Sequence, residues 1–164
     1  MSEQEPVPGF AIAAVREDGR WRCTPLPDDA LRGVDEAATE LRKLRSTGAA
    51  VGLLGVDDQF FMVLRPNPTG VSLLLSDGAA ALDYDIAADA LDQLRVDAPE
   101  DDDEIWPEGA LDILADIGLP AAELQVIIGE VDLYPDEQLR MIAQRCGFDD
   151  EFDRVMDSLD SIAT

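Results

Sequence analysis

The sequence contains no histidine, and Cys23 and Cys146 are its only cysteines. Without imidazole the commonest general base is missing, as are the His-activated nucleophiles and the usual His and Cys spacings of zinc sites. Two thiols so far apart in a protein read as cytoplasmic fit small buried hydrophobes better than a disulfide or a redox pair. Lysine is nearly missing too: Lys43 stands alone among twelve basic residues, a compositional bias rather than a functional choice. No Gly-rich phosphate loop or nucleophile elbow occurs, since "GLLGVDD" reads as a strand with two glycines. No apolar run approaches the roughly 18 residues of a membrane span, and "MSEQEPVPG" lacks the basic and apolar regions of a signal peptide. These absences lead to the expectation of a cytoplasmic protein that is not an enzyme and carries no cofactor or metal.

What the chain has in excess is negative charge. Its formal net charge is −24, and the charge is polarised: residues 1–95 hold 16 acids and 9 bases, residues 96–164 hold 20 acids and 3 bases. A polyanion of this kind is repelled by phosphate backbones and anionic lipid, which argues against direct nucleic-acid binding and against a membrane partner. The same field favours solubility and rapid encounter with a basic protein surface, including one that itself binds nucleic acid. An apolar content of 46% over 164 residues is globular, so any disorder is expected to be local.

"FAIAAVREDGRWRCTPL" places two apolar-leaning runs about Asp18-Gly19, a pair suited to the positive φ values of a tight hairpin turn. "DEAATELRKLR" then repeats apolar residues at helical spacing through Ala37, Leu41 and Leu44, with Thr47-Gly48 closing the helix. Three short apolar runs follow, "AAVGLLGV", "FFMVLR" and "VSLLLS", separated by turn residues and predicted to form an antiparallel meander. Residues 79–95 return to the helical period. The expected fold is α+β: an N-terminal antiparallel five-stranded sheet with two helices, in the order strand-strand-helix-strand-strand-strand-helix, over residues 10–95. Residues 1–9 are expected to be disordered and residues 96–106 to form an acidic linker.

Residues 107–162 are expected to form an all-helical pair of related hairpins. "PEGALDILADIGLP" and "PDEQLRMIAQRCGF" each open with Pro and an acid and stop at Gly before an apolar residue. Pro107 corresponds to Pro135, Leu111 to Leu139, Leu114 to Ile142, and, after a one-residue insertion, Gly118-Leu119 to Gly147-Phe148. Such hairpins can pack on each other or lie on the open face of the sheet.

The acidic stretch "VDAPEDDDEIWPEG" is the candidate site. Glu100, Asp101, Asp102, Asp103 and Glu104 do not fit a calcium loop, because Ile105 and Trp106 fall where an acid and a glycine are needed. They read either as a solvated connector or as a docking surface for a basic partner. Trp106 beside Pro107 either folds the linker onto the sheet or anchors that partner, tryptophan being favoured at interface hot spots. The pairs and triplets Asp57-Asp58, Asp83-Tyr84-Asp85 and Asp149-Asp150-Glu151 fit turns and helix caps, and Tyr134-Pro135 fits a cap with a packed ring.

"REDGRWRC", "GLLGVDDQFF", "LLLSDGAAALDYDIAADALD", "WPEGALDILADIGLPAAEL" and "GFDDEF" together resemble the tRNA adenosine deaminase-associated protein family of actinobacteria, across about residues 10–155. That resemblance implies a role beside the zinc enzyme that converts wobble adenosine to inosine, and it supplies no binding or catalytic residues. The chain cannot itself perform the deamination, which needs a His or Cys and two further cysteines on zinc with a glutamate alongside. The expectation is a non-catalytic acidic accessory protein whose partner is the tRNA adenosine deaminase, docking by charge complementarity. The alternative is a dimeric roadblock-like or chaperone-like scaffold with an unrelated client, a homodimer whose sheet edge or helical face pairs with itself.

Overall fold

A computed structural model describes residues 9–44, 49–67, 70–97, 107–130 and 132–163. Among the described residues six antiparallel strands form one sheet in the order β2-β1-β3-β4-β5-β6. They are β1 (Gly9–Glu17), β2 (Arg20–Pro25), β3 (Ala50–Val56), β4 (Phe60–Asn67), β5 (Gly70–Leu75) and β6 (Glu108–Gly109). Among the same residues five α-helices accompany them: α1 (Val34–Arg42), α2 (Asp85–Leu94), α3 (Ala121–Ile128), α4 (Pro135–Cys146) and α5 (Asp149–Ala163). The ββαβββα order over the first part matches expectation, and β6 is a sixth strand that the sequence pattern did not announce.

The hairpins follow from turn chemistry. Asp18 and Gly19 both take positive φ, 53° and 77°, between β1 and β2. Asp57 and Asp58 do the same, 49° and 53°, between β3 and β4, with Gln59 donating its N–H to the Val56 carbonyl. Positive φ at both central residues matches the right-handed twist of the flanking strands, and Asp tolerates that region better than most residues. These acids are therefore the means of turning the chain.

Strands β1, β3 and β4 are buried on both faces. Ala11, Ala13, Val15, Leu54, Met62 and Leu64 face α1 and α2, while Ile12, Ala14, Leu53, Phe61, Val63 and Leu74 face the C-terminal segments. The molecule is thus three layers, with the sheet in the middle. The C-terminal helices lie on the sheet, and one apolar cluster runs without a break from Ile12 through Leu114 and Leu124 to Phe148 and Phe152. Trp21 of β2 packs against Phe148 with ring centres 4.9 Å apart and planes tilted by 46°, and Phe10 of β1 meets Phe152 edge-on at 6.4 Å.

One expectation is corrected. The segment after Pro107 does not form the first helix of a hairpin: it adds β6 to the sheet, turns, and makes a short 3-10 segment at Ala115–Ile117. Its backbone bonds go to β5, with Ala110 N–H on the Leu73 carbonyl, instead of to carbonyls four residues back. Gly109, at φ 109°, permits this, since a Cβ there would stand 2.3 Å from the Leu73 oxygen. The ends of the two copies do correspond. Gly118 and Gly147 are both left-handed caps, and Leu119 and Phe148 each return an N–H bond five residues back, to Leu114 and Ala143.

Because Phe148 is fully buried and joins α5 to the sheet through Trp21, Phe148→Ala is expected to cost about 3–5 kcal/mol of stability. In urea, tryptophan fluorescence and far-UV circular dichroism should shift together to a lower midpoint. Two separated transitions would mean that the C-terminal helices unfold on their own.

Candidate functional site

Glu100, Asp101, Asp102, Asp103, Glu104 and Trp106 lie outside the described residues. The described chain resumes at Pro107, and Glu108 pairs with Leu75 at the end of β5. That point is next to Ser76 and Asp77, at the end of the sheet where β1 begins and the β3–β4 turn sits.

This end is acidic. Two clefts open on it, one of about 420 Å³ bounded by Asp58, Asp77, Asp132, Tyr134 and Gln138, the other of about 350 Å³ bounded by Phe10, Asp28, Asp58, Asp136 and Met156. Asp58 lines both, and no lysine or arginine lines either among the described residues. Basic side chains gather at the opposite end of the strands. Arg42 donates to the Gly70 carbonyl where β5 starts, at 2.7 Å, and Arg65 near the end of β4 holds the Ile113 carbonyl at 2.8 Å and the Asp116 carboxylate. Arg65 keeps the Asp116 carboxyl below the usual carboxylate range by hydrogen bonding.

Several acids at the acidic end are committed to structure. Asp57 accepts the Tyr84 hydroxyl at 2.6 Å, a bond that pushes the phenol up to about 12. Asp77 accepts the Ala79 N–H at 3.0 Å and caps the 3-10 turn after β5. Asp149, Asp150 and Glu151 occupy the first turn of α5, where negative charge complements the helix dipole. The turn-and-cap reading of these groups therefore holds. For Tyr134 it holds in part: Glu137 reaches back to the Tyr134 N–H at 3.1 Å, but the ring is 61% exposed instead of packed. A tyrosine at the first helical boundary points away from the core when Pro135 takes the buried position beside it.

Sequence reasoning missed the larger cleft. Its signal was present in α4, where Gln138 sits one turn before Ile142 on the stripe that otherwise buries Leu139, Ala143 and Cys146. A polar residue on an apolar stripe marks a position whose partners lie elsewhere in the fold.

A family model described as Rv3753c-like tRNA adenosine deaminase-associated protein matches residues 9–149. The chain belongs to that family. It is 56% identical over 154 residues to Protein Rv3753c of Mycobacterium tuberculosis, covering 92% of this chain and 89% of the relative. No solved structure matches it. The family match spans all six strands and every residue lining the larger acidic cleft, and ends at the first residue of α5, short of Met156 in the smaller cleft.

In this member of the deaminase-associated family neither thiol is poised for chemistry. Burial pushes the Cys23 thiol up to about 12, with Glu151 adding to the effect, and pushes Cys146 up to about 11. Among the described residues no three His, Cys, Asp or Glu side chains come together as a metal cage, and no helix is long and apolar enough to cross a membrane. Since thiolate is the reactive form, the native thiols should react with Ellman's reagent at pH 8 on the order of a hundredfold more slowly than those of the urea-unfolded chain. The folded state favours the neutral thiols, so its advantage is full below pH 9 and declines as the pH rises towards 11 and 12. Equal rates in native and unfolded protein would show that the fold does not hold the thiols neutral.

Proposed function

We propose that the protein is a non-catalytic cytoplasmic partner of the tRNA adenosine deaminase, docking its acidic surface on a basic, tRNA-facing surface of that enzyme. The observation that carries the reading is membership of a deaminase-associated family by a chain with a net charge of −24. An enzyme that binds tRNA must present lysine and arginine to phosphate, and a polyanion with clustered carboxylates is the complement of such a surface. The acidic residues 100–104 and Trp106 join the docking surface in this reading, on the strength of their charge and ring chemistry. Occupying the tRNA-facing surface would either hold tRNA off the enzyme or shield it between substrates.

The alternative is a dimeric scaffold pairing by a sheet edge or a helical face. At the longer of the two edge strands, β2, Arg20 and Arg22 are exposed and Pro25 ends the strand, features that blunt strand-to-strand pairing.

A pull-down of the deaminase from the same cell tests the proposal. The complex is expected at low salt, weakening by roughly tenfold or more towards half-molar salt as screening shortens the reach of the charges. Deleting residues 100–104 should weaken it further at low salt. No complex under any condition would overturn the reading, and a salt-indifferent dimer by native mass would favour the scaffold.

A further inference from the structure

Among the described residues two polar side chains are buried, Ser76 at 5% and Gln138 at 7% exposure, and both open on the 420 Å³ cleft. Ser76 Oγ accepts the Phe61 N–H at 2.9 Å. Gln138 Nε2 donates to the Ile127 carbonyl at 3.0 Å and reaches those of Ile128 and Glu130 at 3.4 Å, covering the end of α3. No donor among the described residues meets Gln138 Oε1. Every fully buried side-chain oxygen there does have a partner, so Oε1 opens into the cleft. The amide is polarised in a useful direction: its N–H end rests on the negative end of the α3 dipole and its oxygen faces outward.

The rim adds to that acceptor. Asp58 and Asp132 make no ion pair or hydrogen bond with described residues, whereas Asp77 is held by Ala79. Tyr134 presents an exposed ring beside them. The N-terminus of α4 brings a partial positive charge to this wall, which Asp136 and Glu137 in its first turn offset.

This lining selects among ligands. Anions meet carboxylates with no cation to receive them. A bare divalent ion lacks three converging acidic ligands among the described residues. An apolar group would leave the Gln138 oxygen unpaired, a costly loss. A planar cation that stacks on a ring and offers several N–H donors uses every feature at once, and the guanidinium group has those properties where a lysine ammonium does not. The cleft also has room for the stem that carries it. We infer that this cleft receives an arginine side chain presented on the surface of a partner protein, stacked on Tyr134 between Asp58 and Asp132, with an N–H directed to Gln138 Oε1. The inference rests on the docking function proposed above and supplies its specific contact.

Titrating the isotope-labelled full chain with N-acetyl-arginine amide, and with the uncharged citrulline analogue, tests it by NMR. The arginine probe is expected to give saturable shifts at the Gln138 side-chain amide and at Tyr134, and the citrulline probe none. Asp58→Asn with Asp132→Asn should weaken the arginine probe by about tenfold or more, asparagine being chosen because it tolerates the positive φ of Asp58. Tyr134→Ala should weaken it severalfold. Absence of arginine-dependent shifts, equal shifts with citrulline, or no effect of the double substitution would overturn the inference. The same variants in the deaminase pull-down separate the two proposals. A complex that ignores both substitutions overturns the cleft and leaves the partner standing, and arginine binding in the cleft without any complex supports the cleft and overturns the partner.

Discussion

Everything in this fold depends on a sheet that is apolar on both sides. Along β1, Ala11 to Val15 alternate faces and all are buried, and β3 and β4 do the same through Val51–Val56 and Phe60–Leu64. A sheet with one polar face can stop there, with helices behind it and water in front. This one cannot, because leaving Leu53, Phe61 and Val63 in water would forfeit roughly 1.5–3 kcal/mol for each large side chain. The second layer of helices is therefore a requirement of the sheet, and it fixes where α4 and α5 must lie.

Once α4 is laid across the strands, the acidic end follows. Its N-terminus arrives beside the β3–β4 turn and the end of β5, bringing Tyr134 and Gln138 against Asp58 and Ser76. Its C-terminus arrives at the other end, near Arg65 and Asp116. Separation of charge along the strand axis is thus produced by turns, caps and helix direction together. Asp57 and Asp77 serve the fold first; Asp58 and Asp132 are left facing water.

The hairpins and the two helices of the first part were legible because each signal is local: a pair of residues able to take positive φ, an apolar period, a terminal glycine. The two-faced burial was also written in the near-continuous apolar runs "GLLGV" and "FFMVL", which call for cover on both sides. What could not be read was how "PEGALDILADIG" would divide. Its leucines suit a helix, yet Gly109 lets the backbone close on β5, and a contact between segments so distant in sequence leaves no periodic trace. The larger cleft was hidden for the same reason, since Ser76 and Gln138 meet only after the second layer is in place, and Glu100 to Glu104 remain a reading of charge alone.

The continuity of the core with the C-terminal helices has a bearing on how the protein is made. Synthesis delivers the chain from its N-terminus, so β1 to β5 are complete at Leu75, long before Phe148 and Phe152 emerge to cover Trp21 and Phe10. During that interval one face of the sheet, with Ile12, Leu53, Phe61, Val63 and Leu74, has no cover of its own. Nascent chains with bare apolar surface are the ones that aggregate or recruit chaperones. A chain ended after residue 97 would carry a sheet covered by α1 and α2 on one side and open on the other, so the last third of the sequence supplies the cover that the first two thirds lack.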